Sequence, residues 1–394
     1  MVSGATVETQ THQLGVPDET GQGGLTRGRA SSDGGLRLEE LSLPDAVHEC
    51  AVDWPAFRLR AQLTPYLQLD YLAAWARAFA PPDSCRVVVA RRGEGLVGCG
   101  PFMTTEDRFG PLSVPTLRFV GNNVGSPGDI LYTDLATTAP RAPVVRAILT
   151  YASAWRVRKW DLGFLPPSSE THALAHTILG VASDGLSADL QAYVDLTLPR
   201  SFEAFLQGIS GNARRNFRRR MRGLGEHGEV TLRTVREPGP VRDTVREMIW
   251  NHRRWWEGTE RAGWFGDARV ERFLGEAAAL LAGQGRFLAF ALEVDGTPIA
   301  WNVGACDEAT YFEQHISFDR AYAEYAPGVL LGILIADKLV ELGVTRIALG
   351  PGLNERKLGL GGVPTNYERV RGYRGWIRTL AAAHQTWQRR RSSS

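Results

Sequence analysis

The chain has 394 residues, 43% of them hydrophobic and 22% charged, with 43 glycines and 21 prolines. That composition excludes a fibre or a wholly disordered chain, and the length predicts two globular domains. With 45 basic against 43 acidic residues the formal charge is only +2, so nucleic-acid or membrane binding has to be read from local clusters.

Residues 1–35 are rich in Gly, Ser, Thr and Gln, with too few bulky apolar groups to offset ordering entropy, and are expected to form a disordered leader. They lack the basic start and apolar run of a secretory signal. No apolar stretch in the chain reaches about 18 residues, so no membrane partner is expected. Cys50, Cys85, Cys99 and Cys306 are scattered without C-x-x-C spacing. They predict reduced thiols in a cytoplasmic protein, with no metal site.

In the first half, residues 86–91 and 96–102 are short apolar runs around a Gly-Glu-Gly turn, which predicts a hairpin. A strand at 116–120, a glycine-rich connection at 121–128, a helix at 144–155 and a strand at 159–164 follow. Turn residues without a sustained period fill 166–189, which places a domain boundary near 189–196. The last residues, 386–394, form a short basic tail.

The second half begins with a basic segment, residues 214–222, in which six of nine residues are arginine. On a helix Phe217, Met221 and Leu224 make one apolar stripe, and Arg214, Arg215, Arg218, Arg219 and Arg222 fan over the other side. The basic face reads either as a solvated surface or as a phosphate-binding one. Trp250, Trp255, Trp256 and Trp264 then fall within fifteen residues, beside His252, Arg253 and Arg254. Such aromatics serve either a core or a flat apolar wall.

Residues 287–294 and 299–305 flank Asp295-Gly296, the strongest short hairpin signal, and 310–317 supply a third strand. After Ala326-Pro327-Gly328 comes an apolar helix at 329–342, then a strand at 344–349. Both halves thus run strands, helix, strand. Alternation on the third strand is expected to put Tyr311, Glu313 and His315 on one face, with Glu313 or His315 as proton acceptor for an attacking amine. The helix start at Ala326, Pro327, Gly328, Val329 and Leu330 offers backbone N–H groups to a phosphate. No serine elbow, H-E-x-x-H, P-loop or dinucleotide fingerprint is present.

The run Ser317-Phe318-Asp319-Arg320-Ala321-Tyr322, with Ala326-Pro327-Gly328-Val329-Leu330-Leu331, Gly343-Val344-Thr345-Arg346 and Lys357-Leu358-Gly359, resembles the GNAT acyltransferase superfamily. More closely, it resembles the branch found in bacterial polysaccharide and natural-product clusters and in Fem-type peptidyltransferases. The resemblance implies an α/β (α+β) fold of two tandem GNAT-like domains, each a mixed central sheet flanked by helices. Residues 36–190 are then a degenerate domain and 191–385 the acyltransferase. It further implies a splayed strand pair that holds the donor's pantetheine arm, donor phosphates at residues 327–330, and Lys357 near the donor. Trp255, Trp256 and Asp319 border an acceptor cleft. The helix turn has only Gly328 and Gly332, fewer glycines than in many acetyl-CoA users. The co-substrate is therefore acyl-CoA or aminoacyl-tRNA, and the acceptor a small-molecule, sugar or peptide amine. A non-catalytic glycan- or RNA-binding role is the third alternative.

Overall fold

The computed structural model describes residues 29–32, 35–109, 111–121, 135–179, 190–256 and 265–379. The expected basic tail, Trp264 and most of the 121–128 connection lie outside them. In chain order the first half comprises β1 (Arg29–Ser32), β2 (Leu36–Ser42), α1 (Leu43–Glu49), α2 (Trp54–Ala61) and α3 (Leu69–Phe79). It continues with β3 (Cys85–Arg92), β4 (Gly95–Phe109), β5 (Leu112–Phe119), β6 (Ala136–Thr137), α4 (Arg141–Ser153), β7 (Lys159–Leu165) and α5 (Glu170–Ile178). The second half comprises β8 (Leu190–Thr197), α6 (Phe202–Gly208), α7 (Gly211–Gly225), β9 (Val230–Val235), α8 (Pro238–Trp256) and α9 (Ala268–Gly283). After these come β10 (Phe287–Val294), β11 (Thr297–Cys306), β12 (Thr310–Phe318), α10 (Pro327–Glu341), β13 (Arg346–Pro351), α11 (Glu355–Gly359) and β14 (Val363–Tyr373).

Among the described residues the strands form one sheet ordered β1-β2-β3-β4-β5-β7-β14-β8-β13-β12-β11-β10-β9, with β6 beside β4. The same arrangement occurs twice. An antiparallel set, β3-β4-β5 or β10-β11-β12, is followed by a helix, α4 or α10, and then by a strand parallel to the third one, β7 or β13. A helix is the usual crossover between parallel strands. The expected two-unit α/β fold is present.

Local chemistry explains the main elements. Asp295 (φ 47°) and Gly296 (φ 72°) both take the left-handed conformation that a tight hairpin between β10 and β11 requires. α10 starts with Pro327, whose missing N–H costs nothing in the first turn, and the preceding Ala326 is left-handed (φ 47°). Leu330, Leu331, Ile333, Ile335 and Leu339 of α10 are buried; each full burial contributes about 1.5–3 kcal/mol.

Within the segment expected as a leader, Arg29–Ser32 pairs with β2. One expectation is corrected. The 166–189 stretch contains helix α5, started by the Ser169 hydroxyl, which accepts the His172 N–H. Its alternation of small and polar residues hides the apolar period.

Each half has an apolar cluster mainly its own, around α4 or α10, and the two share a third. The largest apolar cluster joins Tyr71 and Trp75 of α3 and Val87 of β3 to Met248 of α8, Phe273 of α9 and Phe312 of β12. β14, from the end of the chain, pairs with β8 through residues 363–368 and with β7 through residues 368–373, and so continues one sheet across both halves. Asp161 of β7, fully buried, holds it there by accepting Arg369 Nε and Nη2 at 2.9 and 2.7 Å. Arg118 of β5 donates to Asp161 at 3.0 Å and to Asp107 of β4.

The guanidinium groups of Arg369 and Arg118 outweigh the burial that by itself raises a carboxyl pKa, and hold Asp161 well below the usual carboxylate range. A depressed folded-state pKa contributes stability that is complete above the unfolded value of about 3.9 and lost as pH falls toward the folded one. Urea midpoints are therefore expected to fall as pH drops below about 4. D161A, which strands buried arginines, should cost about 3–5 kcal/mol at pH 7 in urea denaturation and flatten that acid limb.

Candidate active site

β12 and β13 pair in parallel at only three positions, Thr310↔Arg346, Tyr311↔Ile347 and Phe312↔Ala348. Each strand then carries a bulge. On β12, Val303 of β11 faces His315 and Gly304 faces Glu313, leaving Gln314 as the extra residue. On β13, Ala348 faces Asp195 and Gly350 faces Val194 of β8, leaving Leu349 extra. A bulge bends its strand and increases its twist, so β12 follows β11 while β13 follows β8. Beside β12, beyond its last pair with β13, opens a cavity of about 490 Å3, lined by Ile316 and Phe318, by Gly328 at the start of α10, and by Asn354, Glu355 and Arg356.

The β12 bulge is supported from both sides. A Cβ on Gly304 would lie 2.2 Å from the Phe312 carbonyl oxygen and 2.8 Å from the Tyr311 ring, so only glycine fits opposite it. From the first half, the buried Tyr66 hydroxyl accepts the Ala305 N–H at 3.1 Å and donates to the Phe312 carbonyl at 3.2 Å. Gln314 reaches the Tyr71 hydroxyl at 3.3 Å.

The extra residue also reverses the alternation expected along β12. Tyr311 and Glu313 face one side, where the Tyr311 hydroxyl donates to Asn302 Oδ1 at 2.6 Å and Asn302 Nδ2 donates to Glu313 at 2.8 Å. Both guanidinium nitrogens of Arg356 also donate to Glu313, Nη1 at 3.1 Å. His315 is turned to the opposite face, against Phe265 (ring centroids 5.0 Å apart) and close to His252. Burial, and then His252, push its imidazole down to about 3. The advantage of an imidazole pKa near neutrality is thereby removed, although the ring stays uncharged.

On that same face α8 brings together the aromatic residues. Arg254 lies over the rings of Trp250 and Trp255 at 5.2 and 4.7 Å, and Arg320 lies over Trp256 at 4.8 Å. Asp319 accepts Arg254 Nη2 at 3.0 Å and the Ala321 N–H at 2.9 Å, which starts the 3-10 turn Arg320–Tyr325. Buried Asn251 donates to Ser317 at 3.1 Å, fixing the end of β12 to α8. Trp255, Trp256 and Asp319 thus sit together around Arg254 and Arg320, beside the end of β12.

Two expected site residues have other partners. The Lys357 ammonium donates to the carbonyls of Gly350, Pro351 and Gly352 at 3.1, 2.5 and 3.0 Å. Three bonds use all its N–H groups, so it shapes the turn after β13 instead of facing a donor phosphate. Burial pushes it down to about 8. Arg214 Nη1 donates to the carbonyls of Leu206, Gln207 and Ile209, capping α6, while Arg215, Arg218, Arg219 and Arg222 are exposed. α7 has the expected apolar stripe, with Leu224 buried and Phe217 and Met221 packed on the same cluster. Its end lies beside the α10 entry: a Cβ on Gly223 would be 3.0 Å from the Tyr325 ring, and the His227 ring bonds the Tyr325 hydroxyl at 2.8 Å.

Arg356 and Asn302, which both bond Glu313, were not singled out in the sequence. Arg356 stands next to the lysine that drew attention, and only the fold shows which of the two faces the cleft.

Residues 211–358 match the model of the acetyltransferase (GNAT) domain family, a span that contains α7, the bulged strands and α10. The chain carries a GNAT acyltransferase domain in its second half. The crystal structure of FemX is similar, with a TM-score of 0.50 and 10% identity over 72% of this chain and 87% of that one. The C-terminal domain of a putative lysylphosphatidylglycerol synthetase from Agrobacterium fabrum also gives a TM-score of 0.50, at 13% identity over 88% of this chain and 97% of that one. A tandem GNAT protein from the clavulanic acid biosynthesis pathway covers 85% and 97% of the two chains at 16% identity and a TM-score of 0.47. At these identities the likeness is one of fold. Comparison with curated proteins gives no match. Among the described residues no helix is long and apolar enough to cross a membrane.

The His315 environment makes a spectroscopic prediction. Its imidazole C–H shifts should stay flat in NMR titrations from pH 8 down to about 4, whereas an ordinary imidazole titrates near about 6.5. A midpoint near neutrality would contradict the burial described.

Proposed function

We propose that this chain is an N-acyltransferase that moves an acyl group from acyl-CoA to an amine in the cytoplasm, with the donor lying between β12 and β13. The observation that carries the reading is the cleft itself, which lies within the GNAT-matched segment. One wall is unpaired strand edge, and the floor is the start of α10, where the amides of Gly328, Val329 and Leu330 and the helix dipole favour donor phosphates. Residues 36–190, whose β5 and β7 share two parallel pairs, are proposed to serve architecture and acceptor binding.

In the proposed reaction the amine lies against Trp255 and Trp256, with its N–H toward His315. Its nitrogen attacks the thioester carbonyl, the N–C bond forms, the C–S bond breaks, and the sulfur leaves as thiol after protonation. Uncharged His315 accepts a hydrogen bond from the amine, and water takes the proton, since a group of pKa about 3 is a weak base. Glu313 and Tyr311 act behind the wall by holding Arg356 and β12. Positioning supplies most of the acceleration.

A second reading, transfer from aminoacyl-tRNA, is favoured by one specific observation. The exposed Arg215, Arg218, Arg219 and Arg222 lie on the helix that borders the α10 entry. That surface fits a nucleic-acid end as well as a nucleotide.

Thiol release from a panel of acyl-CoAs with candidate amines tests the proposal. Turnover is expected, with H315A lowering kcat by about 10-fold, as loss of one positioning hydrogen bond would, and H315Q, which keeps an acceptor atom, lowering it less. The rate should rise with the amine's own deprotonation and show no imidazole ionisation between pH 5 and 8. Transfer only from a charged tRNA, abolished by ribonuclease and by neutralising the four exposed arginines, would replace the CoA reading with the second. Saturable ligand binding without turnover from either donor would reject both in favour of a binding protein.

A further inference from the structure

Away from this cleft, α5 and β14 bring together three metal-type ligands. His172 and His176 are four residues apart on α5 and therefore share one helix face, with ring centroids 5.5 Å apart and planes at 82°. Glu368 of β14 faces them, its carboxylate 2.9 Å from His172 Nε2. One ligand atom from each of the three lies within 4.8 Å of the other two. His176 Nδ1 is buried and has no hydrogen-bond partner, although a buried imidazole nitrogen ordinarily finds one.

We propose that His172, His176 and Glu368 form a binding site for a divalent transition ion, zinc foremost. Imidazole nitrogens and a carboxylate suit zinc, with bonds of about 2.0–2.2 Å. Tetrahedral ligands at that range stand about 3.4 Å from one another, so the pair at 2.9 Å opens slightly and His176 closes in by side-chain rotation. The two imidazoles bind as neutral rings and the carboxylate as an anion, so acid releases the ion. The fourth position is left to water. His172 is 19% and Glu368 35% exposed at the side chain, which gives the ion a path from solvent.

The location indicates what the ion does. Glu368 is the residue at which β14 passes between partners, since it is paired with Leu165 of β7 and with Leu190 of β8. An ion shared by Glu368 and α5 clamps β14 to the first half at the seam. The site is far from the acyl-transfer chemistry in role as well as in sequence, and stands or falls independently of the proposed function.

The test uses untagged full-length protein, freed of metal by chelator and dialysis and titrated with ZnCl2. One equivalent is expected to bind, and Co2+ in its place should give the visible absorption of a four-coordinate site. With zinc at about 100 times Kd the Tm should rise by several degrees. H176A and the more exposed E368Q should both lose the equivalent and the Tm shift, whereas H48A, at an exposed histidine elsewhere, keeps them. Circular dichroism confirms that each variant is folded. Absence of any bound equivalent in the wild-type chain, or binding unchanged in folded H176A and E368Q, would overturn the site.

Discussion

The active-site half of this molecule depends on a failure of two strands to stay together. β12 and β13 share three residue pairs, and each then inserts one extra residue, Gln314 or Leu349, against its other neighbour. Those insertions turn a continuous sheet into a cleft without leaving the sheet itself. They also expose strand edge in a place where an extended ligand arm can replace the missing ladder, as in other cases of strand addition. Much nearby chemistry follows from this divergence. Gly304 is needed because no Cβ fits opposite the bulge, Glu313 and Arg356 close one wall, and the three carbonyls at the end of β13 converge on the Lys357 ammonium.

The first half contributes to that geometry directly. Tyr66 places its hydroxyl inside the β11–β12 ladder at Ala305 and Phe312, and Tyr71 meets Gln314. In return, β14 completes the sheet of the first half and anchors it through Arg369 and buried Asp161. Each half therefore holds a part of the other, and the apolar cluster that contains Phe273 and Phe312 is common to both. Separation near residue 190 would expose that cluster and remove Arg369 from the buried Asp161, leaving it Arg118. The doubled sequence pattern describes topology; folding stability belongs to the whole chain.

Features governed by short-range physics were legible in the sequence. Asp295-Gly296 dictates its own turn, Pro327 its helix start, and the spacing of Phe217, Met221 and Leu224 the buried side of α7. Features that depend on distant partners were not. Strict alternation assigned His315 to the same face as Glu313, and a single bulged residue, imposed by Gly304 and the Tyr66 hydroxyl, reversed it. Lys357 and Arg214 read as exposed phosphate ligands because charge suggests solvent, yet both satisfy carbonyls of neighbouring turns. The pairing of Glu368 with two histidines on α5 lay beyond reach, since 192 positions separate His176 from it and β14 has to cross the sheet for them to meet.

Hydrogen–deuterium exchange of the full chain with and without a non-hydrolysable acyl-CoA analogue tests the central claim, that the divergence of β12 and β13 is the donor site. Protection is predicted at the amides of residues 313–318, at 328–331 in the first turn of α10 and at 350–356 from the end of β13, with little change in β3–β5 or β7. Saturable binding that protects α7 or the first half while leaving those three segments unchanged would contradict it.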